Sequence, residues 1–501
     1  MLKGMRRGIE KESLRVGSDG KLSTIPHPAA LGAALTHPRI TTDFCESQLE
    51  LITGVHASAE ACLKELTEIH QVVYRNIGDE MLWCASMPCG LPDDDAIPLG
   101  RYGSSNLGRA KTVYRMGLAH RYGRRMQTIS GIHYNFSLPG LSSADYFSLI
   151  RNFRRHSWLL LYLFGASPTV CSTFVAGREH ELQELKRGTL YLPHATSLRM
   201  GRLGYQSDAQ ASLAVSYNSL ESYGASLQDA LTRHYAPYEA IGLRDDHDPE
   251  GTVDGYRQLA TTLLQIENEF YGAIRPKRTI RRGERPLHAL RERGVEYVEV
   301  RLMDLNPFLP VGIDAQTMRF LDVFLLHCLL TDSPPDTPQE IAALARNQHR
   351  AAARGREPGL CLERGAQEIT LIEWGGEVVA ACEPIAAALD RAHGGSAYRD
   401  ALSHAAAALG DPASLPSARV LHEMAQHHDN TYVYFARAQS IRHRDALRNL
   451  SLPAEVEARF ARMAQESLDE QRKIEAADTV PFETFRQQYL SPERLEIRQI
   501  A

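Results

Sequence analysis

The sequence predicts an α+β protein in which helices surround an antiparallel sheet with one polar face. Four segments alternate apolar and polar residues, which is typical of strands that are half-buried in an antiparallel sheet. Helical periodicity dominates the last part of the chain, beyond about residue 310. A chain of 501 residues can bury a large core, although more than one hydrophobic unit is expected beyond ~300 residues.

The first two segments are rich in carboxylates. In the segment 8–16, Glu10 and Glu12 share one face, because successive side chains of a strand point to opposite sides. In the segment 47–53, Glu50 lies opposite an apolar face made by two leucines, and Asp43 lies just upstream. Both segments therefore predict a strand whose polar face collects negative charge.

The third and fourth segments repeat the alternation with different polar residues. In the segment 131–137, His133 lies opposite a face of isoleucine, tyrosine and phenylalanine. In the segment 296–301, Glu299 and Arg301 share a face opposite two valines. Each segment alone is well explained as a strand with one solvated face.

Helices are predicted at several later positions. Ser58 is placed as the N-cap of a helix whose apolar residues recur at helical spacing. The segment 88–108 is a loop that forms a lid or rim, and the chain beyond 310 is mainly helical. We therefore expect a catalytic sheet region, 1–310, with a helical surround, 311–501, packed on the same unit. The predicted helices of this surround cover 318–330, 385–409 with a break at 394–395, and 454–477.

Taken together, the four polar faces favour a metal site. Like charges on neighbouring strands repel each other and destabilise the sheet, whereas a divalent cation turns this repulsion into binding. Oxygen ligands with one imidazole suit Mg²⁺ or Mn²⁺. Arg301 fits the same interpretation, because a guanidinium stabilises charge on a transferring phosphoryl group. The sequence thus indicates metal-dependent phosphoryl chemistry.

The amino-acid sequences of seven segments resemble those of proteobacterial glutamate–cysteine ligase, also called γ-glutamylcysteine synthetase. The resemblance implies a curved antiparallel sheet that forms a funnel, as in the catalytic domain of glutamine synthetase. It also implies ATP-dependent ligation of the glutamate γ-carboxylate to the cysteine amine, the first step of glutathione synthesis. The resembling segments are 7–15, 41–44, 126–136, 163–168, 274–278, 296–301 and 475–482.

The resemblance implies roles for individual residues. The implied ligands of Mg²⁺, or of Mn²⁺, are Glu10, Glu12, Asp43, Glu50, His133 and Glu299. Asp43 comes from the resemblance, whereas the other five also follow from the polar faces. Arg301 is implied to contact the transferred phosphate as a catalytic residue, and Arg115 and Arg199 lie near substrate carboxylates. The residues implied to line the cysteine pocket are Phe44, Tyr114, Gln127, Tyr205 and Tyr271.

Some of these assignments have alternatives. For the tyrosines, core packing explains the sequence as well as substrate contact does. The basic segment 275–278 is either a surface patch or a site for ATP phosphates through Lys277. The segment 103–112 is similar to a phosphate loop, but two residues separate its last glycine from Lys111. It is therefore interpreted as a polar loop that contacts a substrate.

The function also has alternatives. One is another carboxylate–amine ligase of the same fold with a different amine acceptor. The other is a metal-binding regulatory protein without catalysis, which has no need for an arginine that faces phosphate. The chain begins on the first motif, without the helix that usually precedes it in the family. We expect this difference to affect stability or an edge contact rather than a site residue.

The resemblance implies L-glutamate, L-cysteine and ATP as partners, and composition and hydropathy argue against nucleic acid and a membrane. The balance of 56 basic and 61 acidic residues gives no field that favours nucleic acid. The apolar runs are shorter than the ~20 residues of a membrane span, and the start of the chain shows no signal peptide. Eight cysteines without a Cys-x-x-Cys pair argue against a zinc site. They predict free thiols in a reducing compartment, the cytoplasm.

Overall fold

The computed structural model describes residues 1–204, 208–211, 213–248, 251–281 and 283–496. Within these ranges the strands are β1 (Arg6–Val16), β2 (Ile40–Thr42), β3 (Gln48–Ile52), β4 (Met81–Leu82), β5 (Gly131–Ser137), β6 (Thr169–Cys171), β7 (Gln183–Lys186), β8 (Thr189–Tyr191), β9 (Ile274–Lys277), β10 (Tyr297–Asp304), β11 (Cys361–Arg364) and β12 (Gln367–Thr370). The helices are α1 (Ala59–Asn76), α2 (Asn106–Tyr122), α3 (Ser143–Phe164), α4 (Asp208–Ala211), α5 (Leu220–Thr232), α6 (Ala236–Ile241), α7 (Pro286–Arg293), α8 (Ala315–Leu330), α9 (Pro338–Arg354), α10 (Leu371–His393), α11 (Ala397–Gly410), α12 (Pro416–His427), α13 (Tyr432–Asn449), α14 (Ala454–Ala476) and α15 (Phe482–Leu490).

The main sheet is antiparallel, as predicted. Its strands follow the order β2-β3-β1-β5-β10-β9, and β4 pairs with the end of β1. The four segments that the sequence identifies as strands correspond to β1, β3, β5 and β10. They are neighbours in the sheet, so their polar faces join into one surface.

The register sets which polar residues meet. Glu12 lies opposite Glu50 across β1 and β3, and Glu10 lies opposite His133 across β1 and β5. Glu299 lies opposite Asn135 across β10 and β5. The charged side chains therefore come from four adjacent strands and converge at the middle of the sheet.

The other face of the sheet is buried against helices. Ile9, Leu51 and Ile132 are inaccessible to solvent there, and α1, α3 and α8 pack over this side. Arg7 of β1 donates to Asp322 of α8 at 2.8 Å. This face is the hydrophobic core, and it contains the buried ion pairs Arg7–Asp322 and Arg15–Glu80.

The structure confirms two predicted helix boundaries, the start of α1 and the break between α10 and α11. The Ser58 side chain accepts a hydrogen bond from the amide of Ala61 and caps α1. The break at 394–395 is confirmed, since Gly394 and Gly395 adopt φ values of 88° and 85° between α10 and α11. Only residues without a side chain adopt such values easily.

The second half of the chain shares its core with the first. One cluster of buried apolar residues includes side chains from both sides of residue 310. The β11–β12 hairpin lies in the part for which the sequence predicts helices. The division into a sheet region and a helical surround at residue 310 stays a prediction.

The prediction that all eight cysteines are free thiols is wrong. Cys89 and Cys171 form a disulfide, with their Cα atoms 5.3 Å apart, and the other six cysteines are free. The two residues are 82 positions apart in sequence, so only the packing of β6 beside the segment after β4 brings them together. The cysteines therefore do not support the predicted reducing compartment.

Across the described ranges, no helix is both long enough and apolar enough to cross a membrane.

Candidate active site

A cavity lies over the polar face of the main sheet. Its floor is formed by β1, β3, β5 and β10, and α2 forms one wall. Most of the predicted site residues line it: Glu10, Glu12, Asp43, Phe44, Glu50, Tyr114, Arg115, Gln127, His133, Tyr271, Lys277, Glu299 and Arg301. The structure thus brings together side chains that are up to 291 positions apart, from Glu10 to Arg301.

One predicted residue, Arg199, does not line this cavity. Arg199 lines a neighbouring cavity, which shares His133, Tyr271 and Arg301 with the first cavity. The two cavities therefore meet at the centre of the site. Tyr205 lies outside the described residues.

His133 is at the centre of the carboxylate cluster. Its Nδ1 atom lies 3.4 Å from an oxygen of Glu10 and 3.5 Å from an oxygen of Glu299, and its Nε2 atom lies 3.6 Å from an oxygen of Glu12. Burial, followed by the charge of Arg301, lowers the pKa of His133. The lowered pKa favours the neutral imidazole, the form that has a lone pair available for a metal ion.

The donor set fits a divalent cation. Glu10, Glu50 and His133 each offer a ligand atom, and these atoms lie within 4.8 Å of one another. The Oε2 atom of Glu299 is buried, and it has no hydrogen-bond partner among the described residues. Carboxylate oxygens with one imidazole are the donors that Mg²⁺ or Mn²⁺ accepts.

Two carboxyl groups of the cluster are protonated more easily than usual. Burial, reinforced by the charges of Glu10 and Asp43, raises the pKa of Glu50 well above its ordinary value. Burial, reinforced by Asp43, raises the pKa of Glu12 to about 8. A cluster that holds protons in this way is one from which a cation displaces them.

Glu299 behaves differently because cations surround it. Its Oε1 atom lies 3.0 Å from Arg301 and 3.4 Å from Lys277. Burial would raise the pKa of Glu299, but the charges of Lys277 and Arg301 outweigh it and hold the pKa well below the ordinary value. Lys277 therefore faces the site, which decides against a surface patch for this residue.

Arg199 is held tightly where the two cavities meet. It is 1% exposed, and it donates a hydrogen bond to the carbonyl of Arg301 at 2.8 Å. It also lies 3.7 Å from Asp304 at the end of β10. A Cβ atom at Gly131 would stand 1.9 Å from the guanidinium, so a larger residue there would displace Arg199.

Aromatic residues form one end of the first cavity. Phe44 and Tyr114 are buried. The Gln127 amide donates to the hydroxyl of Tyr271 at 2.9 Å. Arg115 donates to the backbone carbonyl of Asp43. This arrangement forms a small slot with a polar wall.

Two further cations, from the segments 103–112 and 275–278, line the cavity. The prediction that 103–112 is a loop is wrong for its second half, because α2 begins at Asn106, where the Ser105 side chain caps the helix. Lys111 lies on α2 on the same helical face as Tyr114, Arg115 and Leu118, and this spacing is the pattern that would have identified it. Arg275 shares its strand face with Lys277, two positions later, as the alternation predicts.

Comparison with known proteins assigns the chain to a family. The family model described as glutamate–cysteine ligase matches residues 1–351. The chain belongs to the glutamate–cysteine ligase family. A protein of Pseudomonas entomophila named glutamate–cysteine ligase is 49% identical over 503 aligned residues, which cover 97% of this chain and 93% of that protein.

Solved structures agree with this membership. The crystal structure of glutamate–cysteine ligase from Francisella tularensis in complex with AMP is 37% identical, has a TM-score of 0.91 and matches over 97% of each chain. A bifunctional glutathione synthetase from Pasteurella multocida is 26% identical, with a TM-score of 0.69 over 93% of this chain and 56% of that one. The resemblance to glutamate–cysteine ligase in the sequence is therefore confirmed.

Proposed function

We propose that the chain catalyses the ATP-dependent ligation of the γ-carboxylate of L-glutamate to the amine of L-cysteine, the first step of glutathione synthesis. The observation that carries this proposal is the cavity in which a carboxylate cluster and one imidazole face Arg301. Family membership supports the choice of substrates, because the relatives are named for this reaction.

The reaction requires two steps. A carboxylate is a poor electrophile toward an amine, so the γ-phosphoryl group of ATP is first transferred to it, which gives γ-glutamyl phosphate and ADP. The cysteine amine then attacks the carbonyl carbon, and phosphate leaves as the amide bond forms. The site must therefore stabilise charge on a phosphoryl group and place an amine beside an acyl carbon.

Three side chains around β10 serve the first step. Arg301 presents a planar fork to the transferring phosphoryl group, and its contact with Glu299 at 3.0 Å fixes its orientation. Lys277, 3.4 Å from the same carboxylate, supplies a second positive charge for the ATP phosphates. Both cations approach from the side of β9 and β10.

The proposed metal ligands are Glu10, Glu12, Asp43, Glu50, His133 and Glu299. A bound Mg²⁺ or Mn²⁺ would supply neutralisation of the charge on the ATP phosphates and on the glutamate carboxylate. The His133 ring is suited to this role because burial lowers its pKa and so favours the neutral form that can bind a metal ion.

The substrates are assigned to the two cavities by their polar groups. Phe44, Tyr114, Gln127 and Tyr271 are proposed to enclose the cysteine side chain. Arg199 is proposed to bind a substrate carboxylate where the cavities meet. Tyr205 stays a predicted member of the cysteine pocket.

Further predictions belong to the same proposal. They are the funnel-like curvature of the sheet, the catalytic region 1–310, the cytoplasm as the location and the absence of a nucleic-acid partner. A crystal structure with an ATP analogue and both amino acids tests the curvature and the assigned contacts directly.

The deciding experiment measures ATP consumption by the purified chain with L-glutamate and a series of amines. Cysteine and L-2-aminobutyrate are expected to be accepted, since an apolar slot separates near-isosteres by only ~1–3 kcal/mol. Leucine is expected to be excluded. Mass spectrometry identifies the product in each case.

The outcomes separate the alternatives. A preference for ammonia or a bulky amine would mean a related ligase with another acceptor. ATP consumption that equals that of the Glu50→Gln variant with every acceptor would instead favour a metal-binding regulatory protein.

A further inference from the structure

Two cations stand side by side on the face of α2 that borders the site. Lys111 and Arg115 are one helical turn apart, and both lie against the ring of Tyr102. The Lys111 Nζ atom is 5.1 Å from the ring centre, and the Arg115 guanidinium carbon is 4.5 Å from it. Tyr102 is 1% exposed, so the ring is a fixed support for both side chains.

The hydroxyl of Tyr102 fixes this support to the edge of the sheet. It donates to the carbonyls of Thr42 and Asp43, at 2.8 Å and 3.0 Å. The position of both cations is therefore tied to the segment that carries Asp43 and Phe44.

Arg115 is already engaged within the protein. Its Nε atom donates to the Asp43 carbonyl, and its Nη1 atom donates to the Lys111 carbonyl at 2.9 Å. Much of its hydrogen-bonding capacity thus serves to hold α2 against the residue after β2.

Lys111, unlike Arg115, has a side chain that makes no hydrogen bond within the described part of the protein. Lys111 lines the cavity and is half-buried as a residue, and apart from the Tyr102 ring its ammonium group has no hydrogen bond or ion pair with any described residue. An ammonium group has three donors. In the cavity these donors are available to a molecule that enters.

The cavity's cations mark two places for carboxylates. Both amino-acid substrates of the proposed reaction carry an α-carboxylate. Arg199 lies where the cavities meet, near β5 and β10, whereas Lys111 lies beside the aromatic slot of Phe44 and Tyr114.

We propose that Lys111 binds the α-carboxylate of the amine acceptor and thereby determines that the enzyme selects an amino acid over a simple amine. This inference rests on the proposed function, in which cysteine is the acceptor. Arg115 then acts mainly as a positioning residue that holds Asp43 and the backbone of Lys111. The thiol-bearing side chain lies toward Phe44 and Tyr114.

The test compares cysteine with cysteamine, which is cysteine without its carboxylate. In the Lys111→Met variant, which keeps the aliphatic stem over Tyr102, the KM for cysteine should rise about 10- to 100-fold, the usual range for loss of a charged hydrogen bond. The kcat/KM for cysteamine should stay within about twofold of that of the unaltered protein. The KM values for glutamate and ATP should not change.

Two further variants complete the design. Lys111→Arg restores a positive charge and should recover most of the preference for cysteine. Arg109→Met removes a cation from the same helix that pairs with Asp254 and does not line the cavity, and it should leave the preference unchanged.

The outcomes are distinguishable. Equal losses for cysteine and cysteamine, or a raised KM for glutamate or ATP, would overturn the role of Lys111 while the ligase assignment stands. Absence of γ-glutamyl product from the unaltered protein with either acceptor would instead reject the proposed function.

Discussion

The two faces of the main sheet are formed by the same strands but differ in how their buried charges are compensated. On the back face, Arg7 and Asp322 are fully buried and paired at 2.8 Å, so each charge has its partner inside the protein. On the front face, Glu12 lies opposite Glu50, and burial beside other carboxylates raises the pKa of both groups. The back face therefore holds its charges in a pair within the protein, whereas the front face carries carboxyl groups whose ionisation the protein itself disfavours. The difference shows that stability and function are separated by strand alternation alone.

The largest expected effect is on the front face. Glu50→Gln removes one charge from the proposed metal cluster, and turnover should fall by roughly 1000-fold or more, because a catalytic metal contributes several kcal/mol. Steady-state ATP consumption at saturating glutamate and cysteine measures the loss.

The same variant should melt no earlier than the unaltered protein when magnesium is absent, since the substitution relieves repulsion from Glu10 and Asp43. Glu299→Gln is the matched comparison. It should lose activity as well but gain no stability, because it leaves Arg301 and Lys277 without their carboxylate. Near-normal activity of either variant at limiting Mg²⁺ would show that the ligand assignment is wrong.

On the back face the expected effect is on stability. Arg7→Met leaves the Asp322 carboxylate buried and unpaired, and removal of one partner of a buried pair costs about 3–5 kcal/mol. Urea denaturation of the two proteins gives the difference in free energy of unfolding. Arg6→Met, at the neighbouring and more exposed position, is the control and should change little. If Arg7→Met unfolds at the same urea concentration as the unaltered protein, the contrast between the faces is not one of stability.

Arg301→Lys tests whether the front face acts on the transition state. Lysine keeps the charge but lacks the planar fork, so kcat should fall roughly 100-fold, the usual cost of removing one donor to developing charge. Nucleotide affinity should change much less, as measured by titration with a non-hydrolysable ATP analogue. Equal losses in rate and affinity would indicate that Arg301 binds only ground-state ATP.

The smallest effect is a pH dependence of magnesium binding. The raised pKa values of Glu12, about 8, and Glu50 mean that the empty cluster holds protons at neutral pH. Mg²⁺ must displace them, so its affinity should rise with pH up to about 8, by about tenfold per pH unit for each proton released.

The same raised pKa values determine how the stability of the metal-free protein changes with pH. A carboxyl group whose folded-state pKa is raised favours folding least when it is ionised, so the repulsion destabilises the metal-free protein as pH rises from about 4.5 toward 8. The stabilisation that Mg²⁺ adds should therefore grow across this window. Calorimetry in buffers of different ionisation enthalpy counts the protons released, and a count of zero would contradict the shifted pKa values.

The sequence by itself determined which residues of each strand lie on the polar face and which lie on the apolar face. Alternation is a local property of a strand, so Glu10, Glu12, Glu50, His133 and Glu299 are assigned to the polar side without knowledge of their neighbours. The caps and breaks of α1, α10 and α11 are local in the same way. These parts of the structure agree with the sequence because each depends on residues only a few positions apart.

Only the tertiary structure decided which distant residues meet. The order of the strands places Glu12 opposite Glu50, and the packing of α2 brings Lys111 to the cavity and engages Arg115 with Asp43. The disulfide between Cys89 and Cys171, which the cysteine spacing does not indicate, has the same origin. Contacts of this kind depend on how whole elements pack across the chain, and periodicity within one segment carries no information about that packing.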